Sequence, residues 1–219
     1  MLGIQEERRV LNMTHANHHH QDALGRSRGF SLIEMMVVLT ILVMLLLAGA
    51  GTFGEWIANG KVRSVAEDLA NGLRIAQSES MRRNRVVAFA ITSATLALNA
   101  KPSTSGVNWY LEALARTSDD STTATYIQGS NYGTQSGVTI AGSAGLVCFG
   151  PLGNQVDLST TSTINVIGTA CAAGSQSYTV SHSSANKSLK VLLSAGGQVR
   201  VCDTAKTLSS SNPDGCPTS

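Results

Sequence analysis

Four N-terminal histidines and a Gly-x-Ser-x-Gly sequence are the first side chains whose types and spacing could support chemistry. A metal could be ligated by the histidines, which are His15, His18, His19 and His20. The sequence Gly25-Arg26-Ser27-Arg28-Gly29 has the spacing of the nucleophile elbow of hydrolases, which requires a strand before it and a helix after it. A polar segment precedes it here, and His182 is the only later histidine that could act as a base. We therefore predict no hydrolase site.

An uncharged run of 19 residues, from Met35 to Phe53, follows this polar segment. As a helix it would rise about 28 Å, close to the ~30 Å hydrocarbon core of a bilayer. Arg26 and Arg28 precede the run, so the positive-inside rule predicts a cytoplasmic N-terminus. We therefore predict a single membrane pass, with everything after Glu55 on the far side of the membrane.

Charged residues are sparse in the whole chain and nearly balanced in sign. Charged residues make up 14% of the chain and the formal net charge is +2, against about 25% charged residues in a typical soluble domain. A generic nucleic-acid binder would be clearly basic, so the composition argues against that class. The C-terminal half is rich in Ser, Thr and Gly, which suits an extracytoplasmic domain.

The sequence Gly29-Phe30-Ser31-Leu32-Ile33-Glu34 joins the basic segment to the apolar run. An acidic group at the edge of such a run is costly in a bilayer and indicates a function. Residues 29–42, GFSLIEMMVVLTIL, resemble the N-terminal signature of type IV pilins and type II secretion pseudopilins. The resemblance implies that prepilin peptidase cleaves between Gly29 and Phe30, that Phe30 is then N-methylated, and that Glu34 is required for assembly.

The physical chemistry of this segment agrees with the resemblance. Glu34 of one subunit could neutralise the Phe30 amine of its neighbour inside the membrane, where an unpaired charge is expensive. Cleavage would discard the leader together with its four histidines, so we predict no metal site. A secretory signal peptide cut near Ala48-Gly49-Ala50 is the alternative, but it gives the Gly-Phe-x-x-x-Glu context no role. Whether translation starts at Met1 or Met13 stays open.

An amphipathic pattern follows the apolar run. Three- and four-residue steps predict one apolar helical stripe of Val62, Val65, Ala66, Leu69, Leu73 and Ala76. Residues 66–91 resemble the GspH/FimT/FimU group of minor pilins and pseudopilins, with Gln77 where that group usually has Arg. The helix is predicted to end near Arg83-Asn84. The basic cluster at this end, Arg82, Arg83 and Arg85, would complement the helix dipole.

Short β-prone runs separated by Gly, Ser and Asn follow the helix. The candidate strands are Val86–Ile91, Thr95–Asn99, Trp109–Ala115, Val138–Ile140, Leu146–Phe149, Gln155–Leu158, Ser177–Ser181, Ser188–Ser194 and Val199–Asp203. Residues 116–137 are predicted to be a long loop.

The predicted fold class is α+β. A long N-terminal helix, half membrane-spanning and half amphipathic, packs on an antiparallel β-sheet head, as in the pilin fold. The predicted boundaries are a leader at 1–29, a transmembrane and assembly helix at 30–54, an amphipathic helix at 55–85 and a β-rich head at 86–219.

Four cysteines lie beyond the membrane, in a compartment where disulfides form. They allow three connectivities, and we predict the pairs nearest in sequence, Cys148–Cys171 and Cys202–Cys216. Closing the second loop would contribute about 3 kcal/mol. A zinc site is disfavoured because no Cys-x-x-Cys pair is present.

The resemblance implies a structural, non-enzymatic role with no cofactor. The main hypothesis is a minor type IV pilin that joins, and primes or tips, a type IV pilus. Its partners would be other major and minor pilins, reached through the N-terminal helix, together with prepilin peptidase and the inner membrane. The head would be periplasmic before assembly and extracellular in the pilus.

Two alternatives share the same N-terminus. One is a minor pseudopilin of type II secretion. The other is a DNA-binding minor pilin for natural transformation, because some members of the FimT group use a Gly-Arg-x-Arg stretch that Gly197-Gln198-Val199-Arg200 matches only in part. The possible DNA contacts that remain are Arg200, Lys187, Lys190 and Lys206. Phosphate-driven affinity scales with the number of neutralised charges, so we expect weak DNA binding at best.

Overall fold

The computed structural model describes residues 29–116, 124–133, 137–162 and 167–218. The predicted leader and its histidines lie outside this described part, except for Gly29. A helix of 52 residues, α1 (Leu32–Arg83), opens the described chain. The chain divides into two compact units, one ending at Leu45 and one beginning at Leu46.

The amphipathic half of α1 behaves as its sequence pattern predicts. All six residues of the predicted stripe are at most 5% exposed. The helix ends at Arg83, and Asn84 follows with φ 49°, in the left-handed conformation that commonly terminates helices. The predicted end is therefore confirmed.

The strands are short and lie between Val87 and Cys216. They are β1 (Val87–Thr92), β2 (Ser105–Gly106), β3 (Asn108–Ala113), β4 (Thr125–Asn131), β5 (Val138–Gly142), β6 (Leu146–Phe149), β7 (Gln155–Val156), β8 (Gln176–His182), β9 (Leu189–Leu193), β10 (Val199–Thr207) and β11 (Gly215–Cys216). They form a five-stranded sheet in the order β4-β3-β1-β6-β7 and a six-stranded sheet in the order β11-β10-β9-β8-β5-β2. Neighbouring strands are antiparallel, apart from β10 and β11, which pair in parallel.

The main core lies where the helix stripe meets one face of both sheets. Its largest buried side chains include Leu69 and Leu73 from the helix and Phe89, Trp109 and Tyr178 from the strands. A second cluster covers the opposite face of the five-stranded sheet, with Tyr110, Leu114 and Cys148 among its members. The five-stranded sheet is therefore buried on both faces, which agrees with the fully buried strands β1, β3 and β6. The predicted α+β class is confirmed.

Two predictions about the strands were wrong. The predicted loop at 116–137 contains β4, whose side chains are mostly exposed because it is the edge strand of its sheet. Thr95–Asn99 forms no strand. Instead, the Asn99 backbone amide donates a hydrogen bond to the Glu112 carboxylate, and Asn99 adopts a left-handed backbone conformation with φ 57°.

Candidate functional site

The predicted processing site lies immediately ahead of the helix. Gly29 and Phe30 precede α1, and Phe30 is 77% exposed. Ser31 accepts the first helical hydrogen bond, from the amide of Met35 at 3.2 Å. Glu34 lies in the first turn of α1, where the helix dipole favours a negative charge.

The helix that follows Phe30 presents its apolar side chains to its surroundings. Every large hydrophobic residue from Phe30 to Leu47 is between 48% and 78% exposed. Glu34 is the only charged residue among positions 30–54. An exposed apolar surface of this extent marks a site of interaction with protein or membrane.

Across the part of α1 and the head whose side chains are described, no helix is long and apolar enough to cross a membrane. Within the same described residues, no group of three or more His, Cys, Asp or Glu side chains is arranged to hold a metal.

All four cysteines are joined in disulfides. Cys148 and Cys171 have Cα atoms 5.5 Å apart and are buried in the second core cluster. Cys202 and Cys216 have Cα atoms 5.0 Å apart and join β10 to β11. The second bond fixes the C-terminal segment, residues 208–216, against β10; we call this segment, which includes the edge strand β11, the C-terminal strap.

Two of the four predicted DNA contacts are engaged by the chain itself. The Arg200 guanidinium donates to the carbonyl oxygens of Pro213 at 2.7 Å and Gly215 at 3.4 Å. The Lys206 ammonium lies 2.5 Å from Asp214, and this hydrogen bond raises the pKa of Lys206 and lowers the pKa of Asp214. Lys187 is exposed, whereas Lys190 is half-buried on β9. The structure therefore does not concentrate these four cations into one free basic surface.

The basic cluster at the end of α1 surrounds one carboxylate. Glu79 accepts from Arg82 and Arg83 at 2.6 Å each. The hydrogen bond from Arg82, followed by that from Arg83, lowers the pKa of Glu79 to about 2. Arg85 donates to the Leu114 carbonyl at 2.8 Å. Arg82 and Arg83 therefore pair within the last turns of α1, and Arg85 joins the end of the helix to the residue that follows β3.

Gln77 connects α1 to the turn between β6 and β7. Its side-chain amide donates to the Gly153 carbonyl at 2.8 Å. Gly153 has φ 75°, so the turn depends on a conformation that favours glycine. The residue that departs from the usual pattern of the group therefore serves to anchor the helix.

Two polar clusters, one half-buried and one fully buried, were not predicted from the sequence. Asp68 of α1 accepts hydrogen bonds from Tyr132 and from the Trp109 indole, the latter at 3.3 Å. Glu112 of β3 is fully buried, and one of its oxygens has no hydrogen-bond partner. A Trp or Tyr in a core usually finds a polar partner, which is the only sequence signal for the first cluster.

Two family profiles match the sequence. The profile described as "Prokaryotic N-terminal methylation motif" matches residues 24–50. The profile described as "Type II transport protein GspH" matches residues 65–197, which is more than half of the chain. No curated protein matches the chain.

Solved structures give further likenesses. The type IV minor pilin FimU of Pseudomonas aeruginosa strain PAO1, in space group P21, is 14% identical with a TM-score of 0.46, over 68% of this chain and 92% of that chain. The minor pseudopilin EpsH from the type 2 secretion system of Vibrio cholerae is 10% identical with a TM-score of 0.43, over 66% of this chain and 98% of that chain.

Proposed function

This chain belongs to the GspH family and is a minor pilin or pseudopilin, and from that premise we propose that it is a minor subunit of a type IV pilus. Its role is structural. Prepilin peptidase cleaves between Gly29 and Phe30, Phe30 is N-methylated, and the mature chain waits in the inner membrane with a periplasmic head. Assembly then brings its N-terminal helix against those of other pilins.

One observation carries this proposal. The residues from Phe30 to Leu47 are exposed and apolar with a single carboxylate, whereas the head builds its buried core from Ala58 onward. A surface that the chain itself does not cover requires a bilayer or other subunits to cover it. Glu34 then has the neighbour's Phe30 amine as its partner, since an unpaired charge in that apolar setting costs several kcal/mol.

The second disulfide fits a head that lies beyond the inner membrane. The bond between Cys202 and Cys216 closes the C-terminal strap. Disulfides form and persist in the periplasm and outside the cell alike, so the choice between a pilus and a secretion system is left to the second experiment below.

The first experiment tests processing and assembly in the native host. Mass spectrometry is expected to find a mature chain that begins with methylated Phe30. The Glu34→Gln variant should be processed normally. Its amount in the sheared filament fraction should decrease on the order of tenfold or more, because the Phe30 amine loses its counter-charge. Glu55→Gln, an acidic substitution later on the same helix, serves as the matched control. A purified chain that begins upstream of Gly29 would refute the proposal.

The second experiment separates the pilus from secretion. Deletion of the gene should reduce surface pili and leave the export of secreted enzymes unchanged. The opposite result, normal pili with failed export, would assign the chain to a type II secretion system.

A further inference from the structure

The two sheets of the head end in four edge strands, one of which is much longer than the others. The six-stranded sheet ends in β2 and β11, and the five-stranded sheet ends in β7 and β4. The strands β2, β7 and β11 have two residues each, whereas β4 has seven. A very short edge strand offers another chain little backbone to pair with, which protects a protein from association. β4 lacks this protection.

The composition of β4 also lacks the features that usually protect an edge strand. Its sequence, TYIQGSN, contains no charged residue and no proline. Charged side chains and prolines on an edge strand oppose its pairing with a strand of another chain. The side chains of β4 therefore do not prevent a further strand from adding to this sheet.

The backbone of β4 has hydrogen-bonding groups to offer such a strand. Among the strands that the structure describes, only β3 pairs with β4, and the pairing is antiparallel. In an antiparallel pair, alternate residues direct their N–H and C=O groups away from the partner strand. Between Tyr126 and Asn131, about three residues therefore present these groups at the outer edge.

One β-bulge interrupts the pairing of β4 with β3. The register shifts between Leu111 and Glu112, so Ile127 has no residue directly opposite it on β3. A bulge increases the local twist of a strand. The four residues from Gln128 to Asn131 keep a regular register with β3. More than half of β4 is therefore a regular edge.

The order of large and small side chains in β4 fits a second copy of the same strand. Antiparallel pairing about a two-fold axis at Gln128 places Tyr126 opposite Ser130. The same axis places the bulged residue, Ile127, opposite Gly129, which has no side chain to clash with it. Each large side chain then faces a small one, as shape complementarity at an interface requires.

The side chains at this edge are accessible, and the largest of them is already held in place. Gln128 and Asn131 are exposed, and Tyr126 is 38% exposed. The Tyr126 ring stacks on the buried Tyr110 ring, with centroids 6.4 Å apart. A side chain that is ordered before association loses little conformational entropy when a partner binds.

We propose that the outer edge of β4 binds the β4 edge of a second copy of this chain, so that the two five-stranded sheets become one continuous sheet across a two-fold axis at Gln128. The interface is isologous, because both copies use the same strand. In strand addition of this kind, backbone hydrogen bonds supply the affinity. The contact goes beyond the proposed function, since it joins two heads and does not involve the N-terminal helices.

Sedimentation of the full chain in detergent tests the pairing. The parent chain should dimerise with a dissociation constant in the micromolar range. Gln128→Lys places two ammonium groups opposite each other at the two-fold axis, where like charges oppose association. This variant should therefore raise the dissociation constant by at least about tenfold. Because Gln128 is exposed, its circular dichroism should match that of the parent.

Gln198→Lys is the matched control, because it makes the same substitution at an exposed position outside the edge. Gln198 lies in the turn before β10, in the other sheet. Its substitution should change the dissociation constant by less than about twofold.

Hydrogen exchange measured by mass spectrometry locates the interface. In the parent and in Gln198→Lys, the amides of residues 126–131 should exchange more slowly at high protein concentration than at low concentration. In Gln128→Lys their exchange should not depend on concentration. Association through the N-terminal helices alone would leave the exchange of β4 unchanged, so this measurement separates the two kinds of contact.

Three results would overturn the proposal. One is a parent chain that stays monomeric up to about 100 μM. Another is a dimer that both lysine variants weaken equally. The third is a dimer in which the β4 amides exchange at the same rate at every concentration. None of these results bears on cleavage before Phe30 or on entry into filaments, so the proposed function is tested separately.

Discussion

Glu112 is a fully buried carboxylic acid in the middle of β3. One carboxyl oxygen accepts a hydrogen bond from the Asn99 backbone amide at 2.8 Å, and the other oxygen has no hydrogen-bond partner. Burial raises the pKa of Glu112 above its ordinary value of 4.5, and the Asn99 hydrogen bond only partly offsets this. The folded state therefore holds the Glu112 proton more tightly than the unfolded state does.

Glu112→Gln should change how the stability of the head depends on pH. In the parent protein, the raised pKa of Glu112 contributes to the free energy of unfolding. That contribution is fully present below pH 4.5 and is lost as the pH rises and the buried carboxyl ionises. Glutamine cannot ionise, so the variant should gain stability relative to the parent as the pH rises, by about 1 kcal/mol near neutrality. Urea unfolding of the full chain in detergent, from about pH 4 to about pH 8, measures the difference.

Glu67→Gln is the matched control for this measurement. The Glu67 side chain is 55% exposed and pairs with Arg63 at the surface, so its substitution should produce no comparable gain with pH. A Glu112→Gln variant whose stability follows the parent in parallel at every pH would contradict the prediction.

Tyr132→Phe tests the polar link between the helix and the five-stranded sheet. The Tyr132 hydroxyl and the Trp109 indole both donate to Asp68, and the indole also lies 3.2 Å from the Tyr132 oxygen. The Tyr132–Asp68 hydrogen bond is half-buried, and loss of a hydrogen bond to a charged group should cost about 1.5–3 kcal/mol in urea unfolding. Tyr126→Phe, at a more exposed tyrosine, should cost less than about 0.5 kcal/mol. Equal costs for the two variants would show that the link contributes nothing specific.

A local motif is enough to predict roles from the sequence alone, and the roles of Gly29, Phe30 and Glu34 stay predictions. Gly29, Phe30 and Glu34 are recognisable because the motif lies within six consecutive residues. Asp68 was not predicted because its partners lie 41 and 64 residues further along the chain. Burial of a polar residue depends on which segments fold together, and no local pattern encodes that.

At the scale of elements, periodicity predicted the helix well. Apolar residues spaced three and four positions apart lie on one face of an α-helix, and all residues of this stripe are buried against the sheets. Edge elements were predicted poorly. β4 pairs only with β3 and exposes most of its side chains, so its sequence, TYIQGSN, shows no apolar alternation.

The strand prediction for Thr95–Asn99 was wrong for a different reason. Its sequence, TLALN, alternates as a strand does, and Leu96 does pack partly against the second core cluster. Its backbone is satisfied by side chains and turns instead of a neighbouring strand, as the Asn99 amide bound to Glu112 illustrates. The alternating pattern therefore predicted neither the exposure of Leu98, which is 42% exposed, nor the hydrogen-bond partner of the backbone.

Gly72→Ala tests how closely the helix approaches the five-stranded sheet. A Cβ at this position would lie 2.8 Å from the Trp109 ring, inside van der Waals contact. Alanine favours a helix over glycine by about 1 kcal/mol. Overpacking a core costs about 1–3 kcal/mol. Because the ring is fully buried and held by its indole hydrogen bonds, we expect the clash to prevail and the head to lose stability in urea unfolding.

Gly60→Ala should change the stability in the opposite direction. Nothing lies within 4 Å of a Cβ at Gly60, which is also in α1. Only the helix preference remains there, so this variant should gain up to about 1 kcal/mol. A gain in both variants would mean that Trp109 moves aside freely.

At the scale of the whole molecule, the two disulfides hold different parts of the head. Cys148–Cys171 is buried in the second core cluster, where hydrophobic contacts already surround it. Cys202–Cys216 holds the C-terminal strap, whose residues are largely exposed and polar. Its polar attachments are the backbone pairing of β11 with β10, the Lys206–Asp214 ion pair and the Arg200 contacts with Pro213 and Gly215. The strap therefore depends on its disulfide more than the core does.

Joint substitution of Cys202→Ser and Cys216→Ser should release the strap and leave the core folded. The bond closes a loop with a sequence separation of 14, so its removal should cost about 3 kcal/mol in urea unfolding. Trypsin should then cut after Lys206 at native conditions, which mass spectrometry detects, because the released segment exposes that site. A variant that resists trypsin as well as the parent does would mean that β11 pairing and the Lys206–Asp214 ion pair suffice to hold the strap.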